Sequence, residues 1–77
     1  MPYIAIKCYA KDDDAVKQKV VDQINQLFLD NWGCPPEAIT ISIEEFTPAD
    51  WNKTVKEGII DNLTDGIMIR EGVKQYP

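Results

Sequence analysis

The residue best placed to do chemistry is Pro2. The chain opens Met1-Pro2-Tyr3-Ile4-Ala5-Ile6-Lys7-Cys8-Tyr9, an alternating strand that starts at residue two and so puts the chain terminus inside structure. Removal of Met1, usual before a small residue such as proline, would leave a secondary amine at the end of a sheet. A free α-amino group titrates near about 8, and burial in apolar surroundings disfavours its charged form and lowers that value. Such an amine, neutral near pH 7, can act as a general base. Proline also tolerates the first position of a strand because it need not donate to the ladder, and taken alone, since a single residue is not a motif, its position is explained by that structural role.

Little else in the chain could compete with that amine. There is no histidine, which removes Ser-His and Cys-His nucleophile pairs and leaves no Cys/His set able to close a zinc site. Gly33, Gly58, Gly66 and Gly72 are isolated, so no phosphate loop is formed. Asp12, Asp13 and Asp14 are consecutive and do not converge on one ion; they read as a helix start, and neither metal nor cofactor is expected. Glu44 and Glu45 are adjacent on a strand and point to opposite faces, so they cannot work on one substrate together. Cys8 and Cys34 are too few for a disulfide framework and read as free thiols. Arg70, the sole arginine, reads as a solvated or interface charge. Lys7 and Lys11, on the first strand and its turn, are better placed to meet an anionic substrate.

The elements that must position these groups follow the order strand, helix, strand, helix. From Ala15 to Trp32, the residues Val16, Val20, Ile24, Leu27, Phe28 and Trp32 recur at three- and four-residue spacing opposite Lys17, Lys19, Asp22, Gln23 and Gln26, which predicts an amphipathic helix. Gly33 and then Pro35-Pro36 end it. Ile39–Glu44 alternates and is β-branched, predicting a second strand, and the helical connection favours parallel pairing through a right-handed crossover. Thr47 can cap the next helix, Pro48 suits its first position, and Phe46 with Trp51 occupy the two staple positions. The four-residue spacing of Val55, Ile59, Leu63 and Ile67 predicts that this helix runs on from Trp51, with a break near Gly66, and leaves Glu71–Pro77 as a tail. The expected fold is α+β, a single domain over residues 1–77.

At 77 residues a monomer buries only about 60–65% of its unfolded surface, and the Ile67-Met68-Ile69 run would stay uncovered, so a homodimer is expected. The net charge is −5 and the eight basic residues are dispersed, which excludes a nucleic-acid footprint. No apolar run approaches the ~20 residues of a membrane span, and no basic-then-apolar leader opens the chain, so a cytoplasmic location and no membrane partner are expected.

In combination, Met1-Pro2 before an alternating strand, a helix of about five turns, the Ile39–Glu44 strand and an aromatic shortly after it resemble the tautomerase superfamily, in its small 4-oxalocrotonate tautomerase-like group. The Thr47–Trp51 segment and the longer carboxyl-terminal part are similar to a dimeric bacterial subgroup. The resemblance implies a β-α-β fold whose sheet is completed by oligomerisation, with Pro2 as catalytic base and Trp51 as the aromatic lining the site. Members acting on dicarboxylates use arginines in the turn after the first strand and at the start of the second; those places hold Lys11 or Asp12, and Thr40. Lysine cannot reproduce the guanidinium fork and threonine carries no charge, which argues against a dicarboxylate. Two readings result. One is an enzyme interconverting the enol and keto forms of a small 2-oxo acid, and the other a non-catalytic βαβ dimerisation or small-ligand binding module that kept the scaffold.

Overall fold

Alternation of apolar and polar residues builds the sheet on which everything else rests. In the computed structural model, which describes residues 1–77, strand β1 (Tyr3–Tyr9) pairs in parallel with strand β2 (Thr40–Phe46), in register from Tyr3 opposite Thr40 to Tyr9 opposite Phe46. Ile4, Ile6 and Cys8 with Ile41 and Ile43 are half-buried, while Tyr3, Ala5, Lys7 and Tyr9 stand exposed on the other face with Thr40, Ser42 and Glu44. On that open face the Tyr3 hydroxyl and Ser42 Oγ lie 3.4 Å apart, and Lys7 pairs with Glu44 across the strands. β1 starts at Tyr3, not Pro2, since proline has no N–H to give. β2 runs on beyond Glu44, and the Ala10 N–H donates to the Phe46 carbonyl at 3.1 Å, lengthening the ladder.

Between the strands lies helix α1 (Asp14–Asn31). Asp13 caps it by accepting from the Val16 N–H at 3.2 Å, and Gly33, with φ of 70°, takes the left-handed conformation that ends it. The apolar stripe is rotated from the one the spacing suggests. Val21, Ile24, Phe28 and Leu29 are half-buried, whereas Val16, Val20, Leu27 and Trp32 are exposed. A short 3₁₀ turn at Pro36–Ala38 then leads into β2.

The second helix is shorter than its spacing predicts. Helix α2 (Pro48–Trp51) begins with the Thr47 side chain accepting from the Asp50 N–H at 3.2 Å, and continues as wider π-type turns over Asn52–Glu57. It stops there because Asn62 folds back and donates Nδ2 to the Glu57 and Gly58 carbonyls at 3.2 and 3.3 Å, capping the orphan acceptors. At Gly58 a Cβ would collide with the Thr54 carbonyl oxygen, so glycine is required where the turns close. Ile59, Leu63 and Ile67 therefore do not extend a helix. Ile60–Asn62 forms one 3₁₀ turn, and the expected tail is a hairpin of β3 (Ile69–Arg70) and β4 (Val73–Lys74). Glu71 and Gly72 have φ of 51° and 80°, the pair of positive values a tight two-residue hairpin turn demands.

Only Ala38 and Val55 are buried in the protomer, while Leu27, Trp32, Met68, Ile69 and Val73 are each more than half exposed. The apolar surface of this fold is thus arranged but not covered by its own chain.

Candidate active site

Pro2 sits at the head of the parallel ladder. Its carbonyl accepts the Thr40 N–H at 3.2 Å, and the residue is half-buried. That bond fixes the backbone one residue before the regular pairing begins and leaves the proline nitrogen free of any ladder duty. Pro2 and Thr40 are accordingly neighbours, contributed by the starts of the two strands.

Lys11 and Trp51 lie at the other end. Seven registered pairs separate the two ends of the ladder, roughly 20 Å at the rise of a β-strand. Trp51 stands edge-on to Tyr9, with ring centroids 5.4 Å apart and planes at 82°, and edge-on to Phe46 at 6.3 Å. Phe46 and Trp51 thus form the staple across the start of α2, with the last β1 residue as a third aromatic. One protomer does not bring Trp51 or Lys11 to Pro2.

The turn carrying Lys11 is held rigidly. Its N–H donates to Glu45 Oε2 at 2.6 Å, and Glu45 Oε1 accepts from Lys17 Nζ at 2.8 Å, while Lys17 also reaches Asp14 at 3.0 Å. The hydrogen bond from Lys17, reinforced by the Lys11 N–H, holds the Glu45 carboxyl below its ordinary value of 4.5. The same bond, followed by that to Asp14, raises the Lys17 ammonium above its usual range. These charges satisfy one another and line an open groove between α1 and Ile43. The Lys11 side chain makes no ion pair and is free to meet an anion, whereas Lys7 is engaged with Glu44.

Trp51 also lines a cleft of about 400 Å³ between α2 and the hairpin, which includes Arg70. Arg70, which the sequence presents as a solvated or interface charge, is half-buried and lines this cleft. No group of acidic residues or cysteines is arranged to hold a metal ion, and no helix is long and apolar enough to cross a membrane.

Comparison with known proteins agrees with this architecture where the strands and first helix are concerned. No curated protein and no solved structure matches the chain. A family model described as tautomerase enzyme matches residues 2–55, from Pro2 through β1, α1 and β2 into the turns after Trp51, and leaves out the hairpin. With more than two thirds of its length in that match, beginning on the candidate base itself, the chain belongs to the tautomerase family.

Proposed function

We propose that this protein is a keto–enol tautomerase acting on a small 2-oxo acid, with the nitrogen of Pro2 as the proton carrier once Met1 has been removed. The observation that carries this reading is the place of Pro2: a half-buried residue, anchored through its carbonyl to Thr40, at the first residue of the family match, whose nitrogen becomes a secondary amine on loss of Met1. The neutral nitrogen takes the hydroxyl proton of the bound enol as the C–O bond becomes a carbonyl. The resulting pyrrolidinium returns a proton to the adjacent carbon, giving the 2-oxo acid and regenerating the free base. No cofactor enters, because the reaction moves one proton between two atoms of the same molecule.

The remaining site residues require a second copy. Two sheets joined edge to edge about a two-fold axis run antiparallel, which lays the Pro2 end of one ladder beside the Tyr9 end of the other. A homodimer of this kind would put Lys11 and Trp51 of one chain near Pro2 and Thr40 of its partner. Trp51 would then wall the pocket, Lys11 would supply positive charge for an anionic substrate, and Thr40 would line the floor as a neutral residue. The exposed apolar surface of the protomer supports the same assembly. The proposed unit is one domain, 1–77, working in the cytoplasm.

The test compares ketonisation of phenylenolpyruvate, followed by absorbance, for the mature protein and a form with residues fused ahead of Pro2. Fusion turns the nitrogen into an amide without basicity, so the rate should fall toward background, by roughly 10²–10⁴-fold for loss of a general base. Equal rates would end the proposal and leave the scaffold as a binding or dimerisation module.

A further inference from the structure

The cleft that Trp51 lines is closed by a part of the chain that the family match does not reach. Its walls are Trp51, Ile60, Leu63, Ile67 and Ile69, an apolar slot with one flat aromatic side. Arg70 is half-buried in it, and its guanidinium spends one donor on the Leu63 carbonyl, at 3.1 Å. No carboxylate lies within ion-pair distance of it, although the chain carries thirteen acidic residues against eight basic ones. The other cation of the cleft, Lys56, is already occupied: its ammonium reaches both Asp61 oxygens at 3.2 Å. An arginine with free donors beside apolar walls is complementary to a carboxylate attached to a flat apolar body.

From this arrangement we infer that Arg70 is the carboxylate anchor of a binding site for monocarboxylates with an aromatic or bulky apolar tail, the tail lying along Ile60, Leu63 and Ile67 against Trp51. The inference rests on the proposed tautomerase reading for its link to substrate, and it supplies the guanidinium that Lys11 and Thr40 do not. Glu71, which makes no ion pair, borders the same cleft, so a second carboxylate on the ligand would meet like charge. That selects against dicarboxylates.

Calorimetric titration of the whole protein with 3-phenylpropionate, which has no enol to turn over, tests the anchor independently of Pro2. 3-Phenylpropan-1-ol serves as the uncharged control. The acid should bind at least about tenfold more tightly than the alcohol, as befits one charged hydrogen-bonded pair. Arg70→Gln, whose amide can still donate to the Leu63 carbonyl, should remove that advantage, so that the variant binds acid and alcohol alike, and Arg70→Lys should restore part of it. Equal binding of acid and alcohol by the unaltered protein would overturn the inference, as would undiminished acid binding by Arg70→Gln or an Arg70→Lys variant no better than Arg70→Gln. Acid binding that depends on Arg70, found together with equal turnover by mature and fused protein, would instead overturn the Pro2 reading and keep the anchor.

Discussion

If Pro2 and Trp51 act together only across two protomers, two separately impaired chains should restore each other. The first is the form blocked by residues fused ahead of Pro2, which keeps Trp51; the second is Trp51→Ala, which keeps the amine. In a mixed dimer one site receives both defects and the other receives neither. Random exchange makes about half of the dimers mixed, each with one intact site of two, so about a quarter of wild-type activity should return. The parents set the floor: loss of the base costs roughly 10²–10⁴-fold, and loss of an aromatic wall on the order of tenfold or more. Trp51 also has a structural duty, since its two edge-on contacts to Tyr9 and Phe46 contribute about 0.5–1.5 kcal/mol each beyond burial. Trp51→Ala should therefore melt earlier but cooperatively, and the mixture is assayed well below that transition. The chains are mixed in denaturant, refolded together and followed by phenylenolpyruvate absorbance. An activity equal to the mean of the two parents refutes the shared site and requires Pro2 and Trp51 to act without each other.

Three further outcomes follow from the fold. Sedimentation at micromolar concentration should give the mass of two chains; a single-chain mass would remove the partner on which the proposed site depends, and a hexamer would place the chain in a different assembly class. Replacing Gly58 by alanine forces a Cβ against the Thr54 carbonyl, so the turns after α2 must open, at roughly 1–3 kcal/mol by analogy with overpacking, seen as a lower melting temperature. Glu45 is held below 4.5 when folded, so its pairing with Lys17 is fully present above that value and is lost as pH falls through the lower folded value; a melting series on wild type and Lys17→Met should show the wild-type advantage vanish in that acid window, and a constant advantage would contradict it.

What could be read from the chain was chemistry confined to a few consecutive residues. The Asp13 cap, the Gly33 stop and the Thr47-Pro48 start with its Phe46–Trp51 staple all stand where local rules put them. The strands were equally plain, because a two-residue alternation has one buried face whatever covers it. The spacing of Val55, Ile59, Leu63 and Ile67 misled for a physical reason: residues four apart face the same way in a helix, but a loop collapsed around Trp51 gathers Leu63 and Ile67 just as well. The decisive interaction, Asn62 on the Glu57 and Gly58 carbonyls, is a side chain reaching back, with no signature in periodicity. The hairpin turn was hidden because its first left-handed residue is Glu71, a type that seldom adopts that conformation.

In the proposed site, the division between two chains follows from the geometry of a single strand. Pro2 and Lys11 flank the same strand, and a strand cannot bend its two ends together, so no fold of a single protomer could put both on one small molecule. The same geometry leaves each two-stranded sheet with a free edge on either side and helix α1 with exposed Val16, Val20 and Leu27. A chain with two buried residues cannot gather much hydrophobic stabilisation by itself. In the proposed dimer, one association event covers that surface and brings base, wall and cation to the same substrate. Stability and activity would then share a single dependence on the partner, and this accounts for a protomer that arranges its apolar faces without closing them.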